Sequence, residues 1–181
     1  MEFVILPLIL FTSLVALAVG GAIYLLQAFG LYRMAQNLGL PSPWMAFVPV
    51  ASSYLMGLIA EKDSNGKDTL KYSWILLISQ IVSFVFSGGY SLVGTFSFAL
   101  GNIGALLILF VLSAIISIAS AVFYYIALYR IYKLYDSDNA PIFIILSIFF
   151  SISVPVLLFI LRNRQPIIYY QDPFEQTNYE Q

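Results

Sequence analysis

Between Lys71 and Arg130 the chain runs for 58 residues without a charged side chain. One helix crossing a bilayer needs roughly 20 apolar residues, so this run is too long for a single crossing and suits two. The rest of the 181-residue chain follows suit: 61% of residues are hydrophobic, 9% are charged, and mean hydropathy is +0.91. Soluble domains carry about 25% charged residues. A water-facing surface cannot be assembled from this set.

Helices are the expected spanning element, because hydrocarbon offers no water to the backbone N–H and C=O groups. Blocks such as Ile103 to Leu112 lack the polar/apolar alternation of a membrane β-strand. The expected fold is therefore an all-α integral membrane protein, a bundle of four to five hydrophobic helices. Residues 1–162 form one polytopic membrane domain, and residues 163–181 form a polar tail expected to be flexible.

Five apolar segments can be marked out. The first, Phe3 to about Phe29, exceeds the 7–15 residue core of a signal peptide and is expected to remain in the mature protein. It carries Ala16, Gly20 and Gly21, with Ala18 and Ala22 at four-residue spacing, which lets a neighbouring helix approach closely. A polar turn over residues 31–39 leads to the second segment, Pro41 to Ala60. That segment is short and holds Pro49, Ser52, Ser53 and Gly57 in its middle; proline removes a backbone donor and breaks a helix. Segment three runs from Tyr72 to Val93, interrupted at Gly88-Gly89. Segment four runs from Gly101-Asn102 to Tyr129 and bears the small-residue face Ser113, Ser117, Ala121. Segment five, Pro141 to Leu161, reads as one crossing that contains Pro155.

The chain also echoes itself. Leu31-Tyr32-Arg33 and Leu128-Tyr129-Arg130 each close an apolar helix. Each is followed by a polar turn, a proline (Pro41, Pro141) and an apolar run with a second proline (Pro49, Pro155). An internal repeat and a shared need for a Tyr/Arg interfacial anchor both account for this.

Basic residues near span ends favour the cytoplasmic side. With five crossings and the amino end inside, Lys62, Lys67, Lys71, Arg130 and Lys133 lie inside, and Arg33, Arg162 and Arg164 outside. If segment two is re-entrant and the amino end is outside, Arg33 joins the inside group and only Arg162 and Arg164 stay out. The charge split favours the re-entrant arrangement by that one arginine.

Little in the sequence can carry chemistry. The net charge of −1 argues against nucleic acid, where a basic patch is expected. With no cysteine and no histidine, disulfides, thiolate chemistry and the usual zinc or haem sites have nothing to build on. No cofactor is expected, and no base is available to activate a serine. The candidate polar positions inside the membrane are Gln80, Ser52, Ser53 and Asn102. An unpaired amide such as Gln80 is costly there, and an interhelical hydrogen bond is its ordinary use. Tyr32, Arg33, Trp44, Tyr129 and Arg130 are candidate interfacial residues. Tyr125, Tyr129 and Tyr132 share one helix face and read as part of the same belt. Asp136 and Asp138, beside Asn139, are expected to be solvated or to cap the next helix.

The stretch Leu31-Tyr32-Arg33-Met34-Ala35-Gln36-Asn37-Leu38-Gly39, followed by Pro43-Trp44-Met45-Ala46-Phe47-Val48-Pro49 and Tyr54, resembles small uncharacterised multi-pass membrane proteins of Gram-positive bacteria. Their pattern is Ala-Trp-x-Ala-x-x-Pro-x-x-Asn-x-Tyr after a basic turn. This chain departs from it at Pro43, where alanine is usual, and at Ser52, where asparagine is usual. The match covers about residues 28–62. The resemblance implies a bacterial cytoplasmic membrane location but brings no activity and no functional residue. The expected role is a non-enzymatic accessory or scaffold subunit, with lipid and other membrane proteins as partners through the small-residue faces. The alternative is a small transporter or channel component with a site at Pro41–Ala60.

Overall fold

The computed structural model describes residues 2–62, 71–99 and 103–167. Every regular element among them is helical. In order they are α1 (Glu2–Asn37), a short 3-10 helix (Pro43–Phe47), α2 (Pro49–Glu61), α3 (Tyr72–Ala99), α4 (Ile103–Tyr135), α5 (Ala140–Phe149) and α6 (Ser153–Leu161). Two stretches, Pro7–Asn37 and Leu107–Tyr135, are long and apolar enough to cross a membrane, with mean hydropathy 2.3 and 2.5.

Both long helices continue through the segments that read as polar turns. The Leu-Tyr-Arg triplets are helical, because Leu31, Met34 and Ala35 in α1, and Leu128, Ile131 and Tyr132 in α4, are fully buried and give the last turns an apolar face. α1 stops at Gly39, whose φ of 61° suits a residue without Cβ. Leu40 N–H donates to Ala35 O (3.0 Å) and Gly39 N–H to Gln36 O (3.1 Å), the paired bonds of a Schellman cap.

Segment two is a hairpin that returns to the end where it began. The 3-10 helix climbs back along α1, where Tyr24 donates to Ala46 O at 3.4 Å and Phe29 meets Phe47 edge-on at 5.2 Å. Pro49 is the first residue of α2, where its missing N–H costs nothing, and not a mid-helix break. α2 then descends for 13 residues, about 20 Å. At its foot the Glu61 carboxylate accepts from both the N–H and the Oγ of Ser73 (2.8 Å each), capping α3.

Segment five, expected as one continuous crossing, is a second hairpin. Helix α5 ends at Phe149 and Phe150 is extended, with φ −128° and ψ 90°. The cause is Pro155. It has no N–H for the Ser151 carbonyl four residues back, and its ring crowds that carbonyl, so the helix restarts at Ser153 with Pro155 in its first turn. The base of the hairpin is closed by an Arg164–Asp136 ion pair and by Ile167 N–H donating to Leu134 O at 2.7 Å. This places residues 163–167, the start of the expected flexible tail, against α4. The remainder of the tail lies outside the described residues. Two further expectations are corrected. Gly88-Gly89 does not interrupt α3, which is helical across both; a helical glycine costs only about 1 kcal/mol relative to alanine. Among the described residues the count is six α-helices and a 3-10 helix, against the four to five expected, because both hairpins are split at prolines.

The two hairpins exchange supports. The 3-10 helix packs on α1 and α5 on α4, whereas α2 leans on α4 and α6 on α1. These contacts are close. A Cβ on Gly30 of α1 would sit 2.9 Å from the Leu158 carbonyl carbon, and one on Gly57 of α2 would sit 2.3 Å from Ser73 Cα. Asn37 donates to Arg162 O (3.0 Å) and Tyr135 to Met34 O (3.4 Å), so the C-terminal ends of α1, α4 and α6 meet at one end of the molecule. The apolar core, from Leu31 and Leu55 to Ile131 and Leu158, is concentrated there. At the other end, residues 7–22 of α1 are exposed around the whole helix.

Candidate functional site

The described residues place a polar cleft where α2, α3 and α4 converge. The helical spacing of the serines explains its form. On α3, Ser79, Ser83 and Ser87 are four residues apart. On α4, Ser113, Ser117 and Ser120 follow at four and three. Such positions share a helix face, and α3 and α4 turn these faces toward each other. Ser83 and Ser120 meet with their Oγ atoms 3.2 Å apart.

On the hairpin side of that contact lies a cleft of about 190 Å³, lined by Ser53, Leu76, Ser79, Gln80, Ser120, Ala121 and Tyr124. Beyond it lies a second, of about 230 Å³, formed by Ser83, Phe86, Ser87, Ser113, Ile116 and Ser117. Neither lining contains a formally charged side chain. Ser79 donates to the Leu76 carbonyl at 3.0 Å, so its oxygen lone pairs remain available to the cleft. Among the described residues the Gln80 amide, the Ser53 hydroxyl and the Tyr124 hydroxyl make no hydrogen bond. Ser53 stands eight residues from Glu61 and Gln80 seven from Ser73, about 12 and 10 Å along their helices from that contact.

The sequence candidates divide accordingly. Ser53 and Gln80 are brought together in the first cleft. Ser52 is not part of it: its side chain is 8% exposed and donates to Pro49 O at 2.7 Å inside the first turn of α2. Asn102 lies outside the described residues. Tyr32, Arg33 and Trp44 gather near the first hairpin, where Tyr32 Oη accepts from Gln36 Nε2 (2.9 Å) and Arg33 donates to Gln36 Oε1 (3.3 Å). Trp44 is largely exposed. Arg130 lies 4.4 Å over the Tyr72 ring, a cation–π contact that buries the tyrosine. The tyrosine face of α4 is not a uniform belt. Tyr129 is exposed, but Tyr132 is fully buried, with its hydroxyl 2.9 Å from Ser147 Oγ.

Tyr124, Ser79, Ser83 and Ser120 were not among the candidates, although the four-residue serine spacing on α3 is visible in the sequence. Only the pairing with α4 shows that these hydroxyls face one another. At the basic end, Asp136 accepts from the Asn139 side chain (3.0 and 3.1 Å) and backbone (3.4 Å) and pairs with Arg164. The Asn139 amide and the arginine hold its carboxyl below the ordinary aspartate range against the opposing effect of burial. Asp136 thus closes the second hairpin and holds the residue that precedes α5.

Comparison with known proteins finds no family model, no curated protein and no solved structure that matches this chain.

Proposed function

We propose that the chain is a multi-pass protein of the bacterial cytoplasmic membrane that acts without catalysis, as an accessory or scaffold subunit. In this reading α1, α3 and α4 cross the bilayer, and the two hairpins are re-entrant from one side. The charges support it. Arg33, Lys62, Lys71, Arg130, Lys133, Arg162 and Arg164 all belong to the hairpin end, and Lys67 falls between two of them in the sequence. A basic rim faces the cytoplasm, which puts the amino end outside. The rim is also suited to anionic headgroups. The resemblance to Gram-positive multi-pass proteins agrees with this location.

The observation that carries the accessory role is the bare half of α1. Residues 7–22 are exposed on every side, and a Cβ added at Gly20 or Gly21 would meet nothing within 4 Å. Helices associate in lipid by close van der Waals packing at small residues, and no part of the described chain supplies that packing. The occupant in this reading is a membrane helix of another protein. Photo-crosslinkable residues at Leu10, Leu14 and Leu17 test it in native membranes, with the buried Leu128 as control. An adduct heavier than this chain by a second polypeptide is expected from the α1 positions. Lipid adducts alone at all three would remove the reading.

A second reading, a small transporter or channel component, is favoured by one specific observation. The broken segment 41–60 contributes Ser53 to a polar cleft also lined by Gln80, whose amide makes no hydrogen bond among the described residues.

A further inference from the structure

We propose that the cleft at Ser53, Gln80 and Tyr124 binds a small uncharged solute rich in hydrogen-bonding groups, a short polyol such as glycerol or a small amide such as urea. The first argument is unmet valence. A primary amide offers two donors and two acceptors, and Gln80 uses none of them within the described chain. Ser53 and Tyr124 add two hydroxyls to the same space. At roughly 9–14 Å along their helices from the basic rim, these groups lie well inside a hydrocarbon core roughly 30 Å thick. Leaving them bare there costs on the order of 1–3 kcal/mol each.

Charge sets the ligand class. An ion in this cleft would meet hydroxyls and one amide but no counter-charge, and an uncompensated charge in a low-dielectric site is strongly disfavoured. A neutral solute exchanges its water contacts for these groups without that penalty. Leu76 and Ala121 supply an apolar wall suited to the carbon chain of a polyol. Size narrows the class further. The cleft's volume of about 190 Å³ matches roughly six water molecules at about 30 Å³ each, below the usual range of drug-sized pockets. The second serine-lined cleft, past the Ser83–Ser120 contact, offers hydroxyls of the same kind farther from the rim.

This inference rests on the clefts lying within the bilayer, and the test separates the two. The chain contains no cysteine, so Ser53→Cys and Gln80→Cys each introduce a single thiol. Phe84→Cys and Ile115→Cys, at positions 73% and 58% exposed on the outer surfaces of the same helices, report on lipid. Each full-length variant is treated in native membrane vesicles with a water-soluble methanethiosulfonate reagent, which reacts only with hydrated thiolate. Reaction at positions 53 and 80 is expected to be slowed several-fold by molar glycerol or urea. Sodium chloride, and sucrose at matched viscosity, should leave it unchanged, while positions 84 and 115 stay inert. Inert thiols at 53 and 80, or rates indifferent to glycerol and urea, overturn the proposal and leave the membrane reading standing. Slowing by salt as strong as by glycerol or urea overturns the ligand class. Ready reaction at 84 and 115 removes the membrane placement, and the proposal with it.

Discussion

Arg164 and Asp136 form an ion pair across 28 residues of sequence, and by doing so bring the exit of the second hairpin to its entrance. The arginine is half exposed while the carboxylate is buried, so the pair alone is worth at most about 1 kcal/mol. Its importance is positional.

The carboxyl of Asp136 is held below its unfolded value, so its contribution to stability is fully present above the ordinary aspartate range. That contribution fades as pH falls through the depressed folded value. Asp136→Asn should therefore melt lower than the parent protein in detergent at neutral pH. The gap should narrow progressively as pH falls from about 4 toward the depressed folded value, below which the parent too is uncharged at this position. A gap independent of pH would show that the charge is not what matters.

Gly57 and Gly20 make opposite predictions. A side chain at Gly57 drives into the backbone at Ser73, so Gly57→Leu should cost about 1–3 kcal/mol or more through overpacking. It should also separate α2 from α3. Gly20→Leu meets open space and should leave the melting temperature of the isolated chain unchanged, while reducing crosslinking from Leu17 to a partner helix. Thermal melts of the two variants, read with the crosslink yield, check both.

Tyr132 and Ser147 share a buried hydroxyl contact at 2.9 Å, and Ser147 also donates to Phe143 O at 2.8 Å. Ser147→Ala strands the tyrosine hydroxyl and should cost about 1–3 kcal/mol. Tyr132→Phe with Ser147→Ala should cost less than the sum of the single changes. A double-mutant cycle measures the coupling, and simple additivity would mean the contact contributes nothing.

Much of this architecture was legible, and the failures are instructive. The charge-free run marked α3 and α4 correctly as a pair because charge is excluded by composition, a property that needs no geometry. Pro49 correctly marked a broken segment. The same reasoning was not extended to Pro155, since segment five is more apolar and hydropathy outweighed the proline. A proline blocks the carbonyl four residues upstream whatever the surrounding hydropathy, and the break duly falls at 150–152. Helix ends were cut short at Leu-Tyr-Arg because a charged residue read as a turn. Both arginines are instead held within the helix, Arg33 with its side chain exposed and Arg130 with its guanidinium over the Tyr72 ring. Of the candidate site, Gln80 and Ser53 were identified from polarity alone. Their convergence with Tyr124 depends on how α2 leans across α3 and α4, and no local pattern encodes that angle.

The second hairpin also changes what a topology experiment should return. With segment five folded back, single cysteines at Gln36, Ser137 and Gln165 should all resist an impermeant maleimide in intact cells and react after permeabilisation. Labelling at Gln165 alone would restore a full crossing over 141–161. Labelling at Gln36 alone would restore one over 41–60.

The uncharged run from Tyr72 to Tyr129 bears finally on biogenesis. Leu100-Gly101-Asn102, which joins α3 to α4, carries no ionisable side chain. In the proposed orientation it is the one connection that must traverse the hydrocarbon during synthesis. The helices on either side can therefore enter as a unit, with apolar burial drawing the neutral connection across. Every charged loop stays on the side of the ribosome.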